Sequence, residues 1–423
     1  MTRAAGPCSK RHSARRAVAC ATLVAASLSA GAAGAQYRLR ADAYYAAADP
    51  ATGLLVLSGE SRTPSWLEAD AVVWLGTGDH RGDVMVASVR AKEPNGWGEI
   101  RAGRFLETAG GLRPLHLDGG DVIARAPWGT SVEVFGGAPV VSEFQTKEYD
   151  WAAGGRIAQR IGRYGTVGVS YLQLRQAGAL TYEEVGVDAA ATPLRWLDAA
   201  FSGSIDLVAL DLSDARVSLA ARFDSLRLEL FAVRRSPSHL LPATSLFSAL
   251  GDMTSQRAGA SLLWRAAPRL DVLAQGTIEA LGGASSPEDV AAPPPSVPAQ
   301  VGGQAMLRAT LRLDDRGDGA LGLDLRRESV PGWPGVPSAS WTGVRGTARV
   351  PLNHYFTAST EIELVAPDVP RGRGAVWPWA LVALKFRPEP KWEIAGAVEA
   401  GASPTAVSQV SGVFRVSYAW GNK

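Results

Sequence analysis

The sequence predicts an all-β protein: a single closed antiparallel transmembrane β-barrel of about 18 strands, within a range of roughly 16 to 22. Three observations support this fold class. The N-terminus has the organisation of an export signal, long segments alternate between apolar and polar residues, and the last segment has the pattern of a closing barrel strand. We therefore expect two regions, a signal peptide at residues 1–35 and a transmembrane β-barrel at residues 36–423.

The predicted signal peptide has the three parts that export requires. No acidic residue precedes Asp42, an apolar run of small residues extends over 17–30, and Ala33-Gly34-Ala35 offers an A-x-A cleavage site before Gln36. The basic residues of its first part are Arg3, Lys10, Arg11, Arg15 and Arg16.

Removal of this leader changes the chemistry that is open to the chain. Both cysteines, Cys8 and Cys20, lie in it, so disulfides, thiolate catalysis and cysteine metal sites are excluded from the mature protein. Five of the 43 basic residues are also lost, which leaves 38 against 41 acidic ones and a net charge near −3. A chain this balanced has no general attraction for nucleic acid, and we expect no nucleic-acid partner.

The alternation with a period of two predicts strands with one apolar and one polar face. In residues 300–314, seven apolar or small residues alternate with polar ones, and the pattern returns in the segments beginning at Leu226, Ala320, Val344 and Phe356. Many runs continue beyond the roughly 9 to 11 residues that a tilted strand needs to cross a bilayer. The best-defined strands are expected to start near Tyr37, Leu67, Val84, Ile157, Val167, Leu226, Ala258, Leu270, Val301, Ala320, Val344, Phe356, Ala375, Trp392 and Val407.

Aromatic residues near the ends of these runs predict girdles at the two membrane interfaces, where amphipathic rings are stable. They are Tyr37, Tyr45, Trp66, Trp196, Trp264, Trp341 and Trp392. We also expect tight turns at 163–165, 224–225, 267–268 and 388–390 to face the periplasm, and longer connections to face outward.

The C-terminal segment resembles the closing strand of bacterial outer-membrane proteins. Val410, Gly412, Phe414, Val416, Tyr418 and Trp420 alternate with polar residues, and in that family the assembly machinery of the outer membrane reads such a strand. The resemblance implies the barrel-assembly machinery and outer-membrane lipid as partners, and the Gram-negative outer membrane as location. Here Gly421, Asn422 and Lys423 follow Trp420, whereas the family usually stops on the aromatic residue.

A second resemblance covers residues 101–137, RAGRFLETAGGLRPLHLDGGDVIARAPWGTSVEVFGG. An R-x-G-R strand, a glycine-containing loop and a D-G step into the next strand are similar to a stretch of porin-like and alginate-export-like outer-membrane barrels. The resemblance implies that Arg101 and Arg104 line a pore.

If the polar face of the barrel is the lumen, its charged residues line the pore. Opposed rows of charge would set ion selectivity, and arginine would suit binding to carboxylate, sulfate or phosphate groups. Pairing among these charges, which merely fills the barrel, is the other interpretation. The candidate pore-lining residues are Arg38, Arg40, Arg101, Arg104, Arg227, Glu229, Asp271, Arg308, Arg312, Asp324, Arg326, Arg345, Arg349, Glu361, Glu363 and Arg415.

Three longer segments are predicted outside the strands. Residues 284–299 are rich in proline and predict an exposed loop. Residues 236–255 are more apolar, which leaves open packing on the rim, a constriction in the lumen, or contact with an envelope partner. The third segment, 104–121, is rich in glycine around Arg113, His116 and Asp118.

No arrangement of catalytic residues stands out in the mature chain. His80, His116, His239 and His354 lie in no nucleophile or metal motif, and Asp314, Asp315 and Asp318 miss the spacing of a calcium loop. We therefore expect no enzyme, no metal site and no cofactor. The leading hypothesis is an outer-membrane channel or conduit for hydrophilic solutes or an anionic polymer such as a polysaccharide. The alternative is a structural barrel that anchors a larger cell-envelope complex through residues 236–255.

Overall fold

The computed structural model describes residues 36–47, 51–62, 66–77, 82–140, 150–236, 255–282, 299–330, 332, 338–370, 375–402 and 409–421. These residues form 22 β-strands. In chain order the strands are β1 (Gln36–Ala47), β2 (Thr52–Arg62), β3 (Leu67–Gly76), β4 (Gly82–Lys92), β5 (Gly98–Glu107), β6 (Leu115–Arg125), β7 (Thr130–Pro139), β8 (Trp151–Ile161), β9 (Gly165–Gln176), β10 (Ala179–Leu194), β11 (Leu197–Asp206), β12 (Asp211–Arg222), β13 (Leu226–Arg235), β14 (Ser255–Ala267), β15 (Leu270–Leu281), β16 (Gln300–Arg312), β17 (Ala320–Ser329), β18 (Trp341–Pro351), β19 (Phe356–Pro367), β20 (Trp377–Phe386), β21 (Trp392–Gly401) and β22 (Gln409–Gly421).

The 22 strands form one closed antiparallel sheet. Each strand pairs with the next along the chain, and β22 returns to pair with β1, where Asp42 lies opposite Ser417 and Arg38 opposite Gly421. Closure leaves no unpaired strand edge. The prediction of a single closed barrel is therefore confirmed, but its strand number is 22 in the described residues rather than about 18.

The strands are long enough to cross a bilayer. The shortest have 10 residues and β10 has 16, against the roughly 9 to 11 that a tilted transmembrane strand requires. The described residues contain no helix with the length and apolar character that a membrane span would need.

The two ends of the barrel differ in their connections. We call the end where β1 begins and β22 ends the proximal rim, and the other end the distal rim. The predicted tight turns at 163–165, 224–225, 267–268 and 388–390 all lie on the proximal rim, as expected for one side of the membrane. The two longest connections, 236–254 and 282–299, belong to the distal rim; most of both, like the predicted signal peptide, lies outside the described residues.

The register separates an apolar face from a polar face around the whole ring, because residues that lie directly opposite each other share a face. On β17, for example, Leu321, Leu323 and Leu325 belong to the apolar face and Asp324 and Arg326 to the polar one. Most fully buried polar side chains, such as Asp121 and Glu184, belong to the polar face. In a closed barrel this is the concave inner face, and the apolar face is the outer surface.

The outer surface has an aromatic belt at the proximal rim. The tilted rings of Trp392 and Tyr418 have centroids 4.4 Å apart, Tyr418 stacks against Trp420 at 5.3 Å, and Phe356 stacks on Phe386 at 4.6 Å. Such a belt is typical of a membrane interface. Trp341 was predicted to belong to these girdles, but the register places it on the inner face near the distal rim.

Outward-facing charge is confined to the distal half of the described strands. There Arg327 donates to Asp368 and Arg104 to Asp118, so that these charges are neutralised locally. The outer surface of the proximal half of the described strands is uncharged, which suits contact with lipid.

Candidate functional site

The inner wall brings together the predicted pore-lining residues, with one exception. From β16 to β19, Arg308, Asp324, Arg345 and Glu363 lie directly opposite one another in a continuous row across the wall. The register places on the same inner face Arg38, Arg40, Arg101, Arg227, Glu229, Asp271, Arg312, Arg326, Arg349, Glu361 and Arg415.

Arg104 is the exception, and the prediction for it was wrong. It lies three residues after Arg101, and an odd spacing along a strand places two side chains on opposite faces. Arg104 binds Asp118, its opposite residue on β6, through Nε–Oδ1 and NH2–Oδ2 contacts of 2.7 and 2.8 Å. It therefore belongs to the outer surface near the distal rim.

The row of charges on β15 to β19 is internally paired. Asp324 is 1% exposed and accepts two hydrogen bonds from Arg308, both 2.7 Å, and one from Arg326 at 3.0 Å. Arg312 forms an ion pair with Asp271 at 3.1 Å, and Arg345 is paired with Glu361. Such bidentate contacts fix the guanidinium groups against the wall.

Pairing continues across the closing strands. Glu393 accepts from Arg415 and, at 2.5 Å, from Arg387, while Arg40 binds Asp42 at 2.7 Å. Elsewhere on the inner wall Arg38 pairs with Glu60 and Arg227 with Glu229, whereas Arg349 donates to the carbonyl oxygens of Gly317 and Asp318. Most of these charged side chains are therefore paired with one another.

The hairpin of β5 and β6 bends into the lumen. A straight strand would separate Arg101 from Glu107 by about 20 Å, yet the Arg101 NH2 atom lies 2.5 Å from Glu107 Oε2. The Arg101 guanidinium also lies 4.0 Å from the ring centroid of Phe105. The distal half of the hairpin must therefore fold back over the inner wall.

Glycines make this bend possible. Gly103 has a φ of +122°, and Gly119 lies directly opposite it on β6. A Cβ atom on Gly119 would approach the carbonyl oxygen of Gly136 to 2.0 Å, and one on Gly103 would approach that of Ala87 to 2.1 Å. Only residues without a side chain allow the neighbouring backbones to come this close.

The tip of the hairpin, residues 108–114, rests on the inner wall at β8 to β11. Gly111 packs against the carbonyl oxygens of Val187 and Gly203, and Gly110 lies beside the ion pair between Arg156 and Asp188. Beneath the tip, inward-facing side chains form a small apolar core of Phe105, Ala109, Leu112, Leu117, Phe135, Ala152, Leu172, Leu174 and Tyr182. The hairpin therefore narrows one side of the lumen and is held there by packing.

Three carboxylates meet where the hairpin returns to the wall. The side chains of Glu107, Asp121 and Glu133 each have an oxygen within 4.8 Å of the others, and Arg101 bridges Glu107 and Asp121. In the described residues this group is the one whose ligand atoms are close enough to share a metal ion. The sequence pattern did not indicate it, because Glu107 reaches the other two only through the bend.

The acidic and basic parts of the wall face each other. In a closed ring of 22 strands, strands eleven positions apart lie opposite, so β5 to β7 face β16 to β18. Glu107, Asp121 and Glu133 therefore stand across the lumen from Arg308 and the other arginines of β16 to β18.

Comparison with solved structures identifies the fold. A copper transporter, OprC, matches with a TM-score of 0.58 and 10% identity over 92% of this chain and 81% of its own. This chain has the fold of an outer-membrane β-barrel. The siderophore receptor PirA from Pseudomonas aeruginosa matches with a TM-score of 0.51 and 8% identity over 92% of this barrel and 80% of the receptor. The translocation pore of the P pilus usher PapC matches with a TM-score of 0.50 and 11% identity over 92% of this barrel and all of the usher chain.

No family model matches the barrel, and the search of curated proteins gave no match either. The large closed barrel agrees with the predicted location in an outer membrane, and the Gram-negative origin stays a prediction. The narrower resemblance to alginate-export-like proteins stays a prediction.

The histidines described in the structure are not assembled into a catalytic group. His116 Nε2 lies 2.6 Å from the carbonyl oxygen of Met85, while Asp118 is bound by Arg104. His354 stacks against Tyr355 in a proximal turn. His80 and His239 lie outside the described residues.

Proposed function

We propose that this barrel is a conduit for hydrophilic solutes across the outer membrane. The observation that carries the proposal is a closed ring of 22 strands in the described residues, with a polar inner face. Barrels of this size enclose a lumen wide enough for an aqueous path.

The wall would select solutes by size and polarity. The β5–β6 hairpin narrows the lumen on one side, and the paired charges of β15 to β19 present a polar surface on the other. Because most inner-face arginines already contact carboxylates, a solute must compete with those contacts, which favours weak and rapidly exchanging interactions over tight binding.

The experiment is conductance of the purified mature barrel in planar bilayers, with ion selectivity measured from the reversal potential in a salt gradient. We expect stable channels, and a shift towards cations when Arg308→Glu or Arg345→Glu reverses a lumen charge. Arg326→Gln and Arg327→Gln form a matched pair of neighbouring residues. The first faces the lumen and should shift the selectivity, whereas the second faces outward and should leave it unchanged.

A barrel that inserts into the bilayer without conducting would refute the conduit. Stable co-purification with envelope proteins in that case would support the alternative, an anchoring barrel. Its proposed docking segment, residues 236–255, lies almost wholly outside the described residues. Passage of an anionic polymer is a further version of the conduit, and block of the ion current by oligoalginate tests it.

A further inference from the structure

A small polar hollow lies on the inner wall near the distal rim, away from the paired charges. Its volume is about 140 Å³, and its walls come from β14 to β17. Its polar lining includes the side chains of Arg257, Glu279, Gln300, Gln304 and Glu328.

Within the described part of the chain, the polar side chains of this hollow are not paired with one another. Arg257 and Glu279 lie directly opposite each other on β14 and β15, yet among the described residues no ion pair joins them. The Nε2 atom of Gln300 is buried and has no hydrogen-bond partner in the described structure. This differs from the adjacent β16–β19 row, where the carboxylates contact guanidinium groups.

An indole ring lies on the strand next to the hollow, opposite one of its lining residues, Glu328. Thr277, Gln304, Glu328 and Trp341 lie successively opposite one another across β15 to β18. The ring of Trp341 lies against Gly343, so close that a Cβ atom there would meet a ring carbon at 2.8 Å. A side chain held flat in this way offers an apolar face beside a set of hydrogen-bonding groups.

We propose that this hollow and the Trp341 ring form a binding subsite for a neutral saccharide on its way through the lumen. The proposal rests on the proposed conduit function and adds the substrate class. Sugar hydroxyl groups both donate and accept, so they can satisfy the guanidinium and amide donors together with the carboxylate acceptors. Two carboxylates against one guanidinium disfavour an anion, while a simple amine would leave the donors of Arg257 and Gln300 without partners.

The test measures binding separately from conductance. Saturation-transfer NMR on the full-length mature barrel in detergent micelles is carried out with maltotriose and cellotriose as neutral probes. Trigalacturonate and spermidine serve as the anionic and cationic probes. The variants Glu328→Ala, Arg257→Ala and Trp341→Ala are compared with Glu60→Ala and Arg265→Ala, which remove the same charges from the inner wall outside the hollow.

We expect at least one neutral trisaccharide to bind, and each hollow variant to weaken it by roughly tenfold or more, as loss of a hydrogen bond to a charged group or of a stacking surface does. The control variants should bind like the wild type. Circular dichroism and heat-dependent electrophoretic migration establish that every variant is folded.

Three results would overturn the subsite: no binding of either neutral probe, equal weakening by the control variants, or preferential binding of trigalacturonate or spermidine. Each of them leaves the conduit intact if the barrel conducts ions. Absence of conductance would refute the conduit itself, whatever the NMR experiment gives.

Discussion

The inward bend of the β5–β6 hairpin can be tested at a single glycine. In Gly119→Val, the new Cβ atom would lie 2.0 Å from the carbonyl oxygen of Gly136. The obstacle is backbone, so no side-chain rotation relieves it. The variant must either separate β6 from β7 or lift the hairpin away from the wall.

The packing that opposes this movement can be estimated. Phe105, Leu112 and Leu117 are 2%, 7% and 0% exposed beneath the hairpin tip. Burial of each contributes about 1.5 to 3 kcal/mol, so the three together hold the hairpin inward with about 4 to 9 kcal/mol as an upper limit. Loss of even 4 kcal/mol changes the ratio of inward to lifted hairpin by roughly a thousandfold.

Single-channel recording reports the result, because a lifted hairpin widens the lumen. We expect Gly119→Val to conduct more than the wild type or to fluctuate between two levels. Gly346→Val is the matched control, since a Cβ atom on Gly346 has no neighbour within 4 Å. Wild-type conductance in a Gly119→Val barrel with intact strands would refute the inward hairpin as the constriction.

Two further perturbations test the charges of the wall and of the rim. Asp324→Ala leaves Arg308 and Arg326 without their shared carboxylate. We expect the free energy of unfolding, measured with urea in lipid vesicles, to fall by roughly 1 to 3 kcal/mol, a limited loss because Arg308 is partly solvated. An unchanged unfolding midpoint would contradict the pairing. At the distal rim, the guanidinium of Arg327 holds the pKa of Asp368 below its usual range. Because this folded-state pKa is lowered, the ion pair stabilises the rim above the ordinary carboxyl pKa, and its contribution disappears as the pH falls through the lowered value. The difference in Tm between the wild type and Asp368→Asn should therefore vanish in strong acid, and a difference that persists there would refute the assignment.

The alternation defined the starts of most strands, and several of the strands that it did not define have an apolar inner face. The strands absent from the expected starts include β5, β6, β7 and β10. There the inner face carries Phe105, Leu117, Phe135 and Tyr182, so the contrast between the two faces is lost. These residues are apolar because they pack beneath the hairpin rather than face water, and a tertiary contact of this kind leaves no periodic signal.

In the candidate site, too, the alternation predicted residues of regular strands but not contacts that depend on the folded hairpin. The alternation with a period of two predicted that Arg308 and Arg345 share the polar face, and the register places them there. In a regular strand the face of a residue follows from its position along the strand alone. Arg104 lies three residues after Arg101, and this odd spacing places it on the outer face. The family resemblance had implied the inner face. The meeting of Glu107 with Asp121 depends on the bend at Gly103 and Gly119 and is therefore a property of the folded hairpin.

The central claim is that the apolar face of the strands contacts lipid and the polar face contacts water. Spin labels at successive single-cysteine positions of β17, residues 320–327, test it most directly in a barrel reconstituted in vesicles. We predict that accessibility to oxygen is high at Leu321, Leu323 and Leu325, and that accessibility to a water-soluble nickel reagent is high at Gly322 and Arg326. Uniform accessibility along the strand, or the opposite alternation, would contradict the account.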